Sequence, residues 1–359
     1  MSDALVGAFE HLFPGKYEFE LADVVADSLL YPLHLANHMY GPVVNRFPRF
    51  WGLLWHFSNG HYRSRLILRL VSPLAATRLR NVLLRSKPDL IIGTHPLGNR
   101  VPARLLRELG WEVPLVTVVT DLVTIHRWWL CPEVDLSLVP TEEVRNLALQ
   151  RGLTPERVKV VGIPVDLRFA AGSKAKGELR QGLGLSEGLF TILLVGGGEG
   201  VGKVYDTARM ITNASLDVQL LIVAGRNEKL KRRLEEVSWE VPTHVLGFAK
   251  NIPDLMHAAD LIITKAGPST MSEALACGLP MLISGSLRGQ EEGNAEWVVD
   301  RGAALYTPTP EKIVTALQEL LRPGNDGLAQ MSQSARQVAR PLAALEAVSL
   351  MDRLLEEPL

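Results

Sequence analysis

Three stretches of the sequence carry residue types suited to gripping an anion or a sugar. The first is Thr191–Val204, TILLVGGGEGVGKV, where an apolar run stops at Gly196, Gly197, Gly198 and Gly200 before Gly202 and Lys203. A strand that passes through glycines into a helix brings backbone N–H groups and a positive helix end to a phosphate. Glycine also permits close approach and positive φ. The spacing nearly gives an ATP-binding P-loop, but Val204 follows the lysine and has no hydroxyl for magnesium. Nor can GxGxxG be read between Gly196 and Gly202. A diphosphate-contacting loop of another kind is the expectation, with a ligand-free tight turn as the alternative.

The second stretch is Asp260–Pro280, DLIITKAGPSTMSEALACGLP. A strand ends at Lys265, a short turn follows, and a helix starts near Thr270. The hydroxyls and amides of that turn, with the helix dipole, make a second anion site. Glu273 lies one turn into the helix, better placed for the paired hydroxyls of a ribose than for phosphate. Complementing the helix dipole is its plainer role. The third stretch is GQEEGN, Gly289–Asn294, in which Gln290, Glu291 and Asn294 offer donors and acceptors for the hydroxyls of a hexose. A polar helix start is the alternative.

The elements that must position these residues alternate. After a helix with the stripe Leu5, Phe9, Leu12 and Phe13, Tyr17–Val25 alternates like a strand. Helix Ala75–Ser86 leads to strand PDLIIGTHP, helix Arg100–Leu109 to strand PLVTVVTDL, and LSLVPT, helix Glu142–Arg151 and VKVVGIPV follow. A polar stretch, AAGSKAKGELRQGLGLSEG, reads as a linker. The alternation then restarts at FTILLVGG and runs to AALYT and a helical tail broken at Pro341. Strand–helix alternation of this kind predicts an α/β protein with doubly wound parallel sheets. Two such domains facing a cleft place ligands at the carboxyl ends of their strands. The expected boundaries are 1–168, 187–334 and a C-terminal helix over 335–359.

The motifs GGGEG, AGRNEKL, VLGFAKNIPDLMHAADLIITKAGPSTMSEALACGLPMLI and GQEEGNAEWVV together resemble the monogalactosyldiacylglycerol synthase/processive diacylglycerol glucosyltransferase family, relatives of the murein-precursor N-acetylglucosaminyltransferase. The resemblance covers nearly the whole chain. It implies a GT-B fold of two Rossmann-like domains, with the second holding a UDP-sugar and no cofactor or metal. By that resemblance Gly196–Gly202 approaches the diphosphate, together with Gly267, Ser269 and Thr270. Gly247 and Phe248 lie beside the uracil, Arg226 joins the donor site, Glu273 meets the ribose, and Gln290, Glu291 and Asn294 meet the sugar. Asp121, His126 and His95 are the catalytic candidates of the first domain, each with a structural role as its alternative. The usual Pro-Gly-Gly-x-Thr turn is here Ala266-Gly267-Pro268-Ser269-Thr270, and Pro268 removes one N–H donor. The family also opens with a strand and a Gly-rich loop ending in His, which this chain lacks before its first helix.

The implied activity is inverting transfer of a hexose from UDP-glucose or UDP-galactose to a diacylglycerol-like lipid, at the cytosolic face of a membrane. Alternatives are transfer to a polyprenyl-linked precursor, UDP-sugar epimerisation, and UDP-sugar binding without turnover. Composition agrees with a globular protein: 47% of the 359 residues are hydrophobic and 21% charged, with a formal net charge of −1. That balance argues against nucleic acid as a partner. The charge is nonetheless uneven, with twelve Arg/Lys and one acid, Asp89, between Arg46 and Arg107. This basic stretch, with the aromatic-rich Tyr31–Tyr62 region, is expected to meet an anionic membrane surface. Solvated helix faces are the plainer reading. Two cysteines, Cys131 and Cys277, form no CxxC and fit a reducing compartment. The start shows no secretory signal, and no apolar run nears the ~18–20 residues of a membrane span.

Overall fold

The computed structural model describes residues 1–23, 48–172, 174–197 and 203–357. It divides into two compact units. Unit 1 comprises Met1–Asp166, Arg288–Gln290 and Leu342–Leu359, and unit 2 comprises Leu167–Leu287 and Glu291–Pro341.

Among its described residues, unit 1 is built on four parallel strands in the order β1 (Ile91–Gly93), β2 (Leu115–Val118), β3 (Leu136–Val139) and β4 (Val158–Val160). The helices are α1 (Ser2–Leu12), α2 (Pro48–Ser58), α3 (His61–Ser86), α4 (Leu97–Leu109) and α5 (Glu142–Gln150). The stripe predicted for the first helix is real. Leu5, Ala8 and Phe9 pack on Val116, Val118, Leu136 and Leu138, together with Ala344, Val348 and Met351 of the last helix, Ala343–Glu356. The predicted helix at Ala75–Ser86 is the second half of the longer α3. The strand predicted over Tyr17–Val25 is not formed in its described part, residues 17–23. Its alternating aromatics instead pack on α1, with Tyr17 edge-on to Phe9 at 5.0 Å and its hydroxyl donating to Asp352. The α4 N-terminus presses on β1 at Gly93. A Cβ there would lie 2.6 Å from the Gly98 carbonyl oxygen, so only glycine allows this approach.

Among its described residues, unit 2 holds six parallel strands in the order β10-β9-β8-β5-β6-β7. These are β5 (Phe190–Val195), β6 (Val218–Val223), β7 (Thr243–Leu246), β8 (Leu261–Thr264), β9 (Met281–Ile283) and β10 (Ala304–Tyr306). The central strands are buried along almost their whole length, as a sheet covered on both faces requires. Ile192, Leu194, Leu220, Ile222, Leu261 and Ile263 form the core with Ala208 and Ile211 of α7 (Val204–Thr212). The polar stretch read as a linker folds in part into α6 (Lys176–Gly182). Its buried Arg180 donates to the Ala258 carbonyl at 3.0 Å, the Glu187 carbonyl at 2.9 Å and Asp260 Oδ2 at 2.5 Å. Strand order reverses between β5 and β8, which pair directly. That is the topological switch point where open α/β sheets bind ligands.

Candidate functional site

The two glycine-bearing turns of the sequence leave neighbouring strands at this switch point. Beyond β5, Gly196 and Gly197 begin the first turn, and Gly197 takes a left-handed φ of 71°. Gly198 and Gly200 lie outside the described residues. Beyond β8, Lys265 and Ala266 lead to Gly267, the N-cap of α10 (Pro268–Ala276). Pro268 has no N–H, and the Met271 amide bonds back to the Gly267 carbonyl at 3.0 Å. By helix geometry the Ser269 and Thr270 amides are the remaining donors of the first turn. The turns are close. A Cβ on Gly197 would lie 3.3 Å from Lys265 Cε, and one on Gly267 would lie 3.2 Å from Lys265 Nζ.

The residues expected at the sugar divide. Glu291, only 3% exposed, accepts from Lys265 Nζ at 2.5 Å and from the Leu287 amide at 3.0 Å. Asn294, also buried, donates to the Ala266 carbonyl at 3.1 Å. Both therefore brace the Lys265–Gly267 turn. Gln290 belongs to unit 1, where its Nε2 lies 3.5 Å from Asp121 Oδ1 and its buried Oε1 has no hydrogen-bond partner among the described residues. Glu273 is half-buried in the second turn of α10. At the ends of β6 and β7, the Arg226 guanidinium stacks on the exposed ring of Phe248 at 4.4 Å, with Gly247 beside it. An exposed aromatic face topped by a planar cation is a platform for a flat base.

In unit 1, Asp121 follows the end of β2. Its Oδ2 accepts from the indole N–H of buried Trp129 at 2.7 Å. That contact orients the carboxylate and leaves Oδ1 towards Gln290. His126 differs. Its Nδ1 accepts from the Trp128 amide at 3.3 Å, and its Nε2 lies 3.2 Å from Ser58 Oγ. The Ser58 hydroxyl donates to the Trp55 carbonyl at 3.1 Å, so it accepts the Nε2 proton. Burial, then the charges of Arg151 and Arg127, push the imidazole down to about 4. A neutral imidazole with both nitrogens engaged has no lone pair for a substrate proton, so this geometry favours a structural His126. His95, exposed, accepts from the Leu97 amide at 3.3 Å at the start of α4.

The segment around Asp121 is held by residues that sequence reasoning passed over. Asn59 Oδ1 accepts from the Arg127 amide at 2.8 Å, and buried Asn99 donates to the Trp129 carbonyl at 3.3 Å. Lys265 stands in a quoted motif and Trp129 a few residues beyond the strand PLVTVVTDL, but nothing in their spacing marked a role. Burial pushes the Cys131 and Cys277 thiols up to about 12, so neither is a nucleophile at neutral pH. Among the described residues no group of three or more His, Cys, Asp or Glu is arranged to hold a metal ion.

The family pattern described as monogalactosyldiacylglycerol (MGDG) synthase matches residues 1–165, and the glycosyltransferase family 28 C-terminal domain matches residues 191–348. Among solved structures, the chain is similar to MurG of Acinetobacter baumannii at 19% identity and a TM-score of 0.54, covering 78% of this chain and 77% of that one. It is similar to S. aureus MnaA, solved with UDP, at 17% identity and a TM-score of 0.60, covering 80% and 82%. These likenesses show the fold, a GT-B arrangement of two Rossmann-like domains. The chloroplastic monogalactosyldiacylglycerol synthase of Spinacia oleracea is 34% identical over 365 residues, 99% of this chain and 70% of the relative. Monogalactosyldiacylglycerol synthase 1 of Arabidopsis thaliana is 34% identical over 369 residues, 99% of this chain and 68% of the relative. With both halves matched and such relatives aligned along almost its whole length, the chain belongs to the monogalactosyldiacylglycerol synthase family of glycosyltransferases.

Proposed function

We propose that the protein transfers galactose from UDP-galactose to the free hydroxyl of a diacylglycerol, with inversion at the anomeric carbon. The observation that carries the reading is the pair of glycine-bearing turns at the switch point of unit 2, in a chain of this family. The Arg226–Phe248 platform takes the uracil, the half-buried Glu273 the ribose, and the turns at Gly196–Gly197 and Gly267–Thr270 the diphosphate. The diacylglycerol oxygen attacks C1 from the face opposite UDP, the bond to the β-phosphate oxygen breaks, and a base takes the hydroxyl proton. Asp121 is that base, because Trp129 orients it while one carboxylate oxygen faces away from the indole. Donors aimed at the departing diphosphate lower the barrier by stabilising its charge.

Lipid contact comes from unit 1. Phe50, Leu53, Leu54 and Phe57 of α2 form an exposed stripe at helical spacing, and Tyr62, Leu66 and Leu70 of α3 form another. Exposed Arg63 and Arg69 lie among them. Apolar residues interleaved with arginines suit the interface of an anionic bilayer. No described helix is long and apolar enough to cross a membrane. The exposed stripes and arginines suit a protein that lies on the surface. Residues 31–47 of the aromatic-rich region lie outside the described residues. NMR of the product tests the reaction: β-linked galactosyl-diacylglycerol supports it, and an α-linked product removes the single-displacement step.

A further inference from the structure

We propose that Lys265 is the cation of the diphosphate site and that buried Glu291 is its positioning residue; this rests on the UDP-sugar reading above. The sequence first draws attention to Lys203, because it follows the glycines in P-loop fashion. The structure points to another lysine. Lys265 follows the strand that pairs with β5 at the switch point, and its side chain runs between the two glycine turns. Gly197 and Gly267 lack the Cβ atoms that would press on Lys265 Cε and Nζ from 3.3 and 3.2 Å. The ammonium thus faces open backbone on two sides, and its side chain remains 27% exposed.

Glu291 is 3% exposed and has both carboxylate oxygens committed, one to Lys265 and one to the Leu287 amide. Its burial and these two bonds favour bracing the turn over counting sugar hydroxyls, the role the sequence suggested. What it does is fix the lysine. An ammonium carries three hydrogens, and Glu291 takes one, leaving two for phosphate oxygens. Asn294 braces the same turn through the Ala266 carbonyl. When the C1–O bond breaks, its electron pair goes to the β-phosphate oxygen. Lys265 stabilises that charge by hydrogen bonding without giving up a proton, and the acceptor's proton goes to the base.

The rival account is a purely structural ion pair, and the two differ in which part of the nucleotide they affect. Calorimetry with UDP and with uridine on the full chain separates them, because uridine lacks the diphosphate. Lys265→Met is expected to weaken UDP by about tenfold or more, as loss of a charge-assisted bond does, while uridine stays within about twofold. Lys265→Gln, whose amide can still donate to Glu291, guards against misfolding and is expected to lose UDP in the same way. Glu291→Gln is expected to lower kcat more than it raises KM, with ethylamine restoring part of the activity of Lys265→Ala. Equal losses for UDP and uridine in the Gln variant, or an unchanged UDP preference in either variant, overturn the proposal. Wild-type protein that binds uridine and UDP alike overturns instead the donor-site reading beneath it.

Discussion

Replacing Asp121 with asparagine separates its chemical role from its structural one. Trp129, 2% exposed, donates its indole N–H to Asp121 Oδ2 at 2.7 Å. Asparagine keeps an oxygen for that bond, so the fold should hold and the melting temperature should move by no more than about 2 °C. The amide cannot take a proton. A positioned general base contributes about 10²–10⁴-fold, or roughly 3–5 kcal/mol of barrier, and kcat should fall by that factor. On the proposed reading unit 2 carries the donor contacts, so UDP affinity should stay within about twofold. Asp121→Ala, by contrast, strips a buried N–H of its acceptor at a cost of about 1–3 kcal/mol, and should lower the melting temperature by several degrees. The assay is steady-state galactose transfer into diacylglycerol vesicles, with calorimetric UDP binding and thermal melts on the same preparations. If Asp121→Asn keeps more than about a third of wild-type kcat, Asp121 is not the base.

Three further outcomes follow from particular contacts. His126 titrates near 6.5 when unfolded but is held at about 4 in the fold, so the unfolded chain takes the proton first as pH falls. The stability is complete above pH 6.5 and is lost towards pH 4, by about 2 kcal/mol at pH 5. Urea unfolding at pH 7.5 and 5 should show this loss, and His126→Gln should flatten it. Gly93→Ala drives a Cβ to 2.6 Å from the Gly98 carbonyl and should cost about 1–3 kcal/mol in the same measurement. Leu53→Ser with Phe57→Ser removes two exposed apolar side chains of α2. Each side chain buried in lipid is worth about 1.5–3 kcal/mol, so cosedimentation with anionic vesicles should fall by at least about tenfold while UDP binding stays unchanged.

Much of this was legible in the sequence because parallel sheets write themselves as apolar runs. DLIIT and TILLV are recognisable strands, and the glycines after them mark the turns without further evidence. The motif set from Gly196 to Val299 also identified the family. What sequence could not show is direction. GQEEGN reads as a uniform polar turn, yet Glu291 and Asn294 point inward to brace another loop, while Gln290 lies with Asp121 in the other unit. Spacing likewise gave His126 and Asp121 equal standing. Only the third dimension shows that Ser58 and the Trp128 amide occupy both nitrogens of the imidazole. The Tyr17–Val25 alternation misled for a related reason. A period of two records two environments, and here one of them is a helix rather than a sheet partner.

The central claim is tested most directly by following UDP release from UDP-galactose with and without diacylglycerol in vesicles, while measuring galactolipid formed. The account predicts that UDP appears only with the lipid and matches the galactolipid mole for mole. UDP released with free sugar in the absence of lipid, or no release in any lipid mixture from protein that binds UDP, would contradict it.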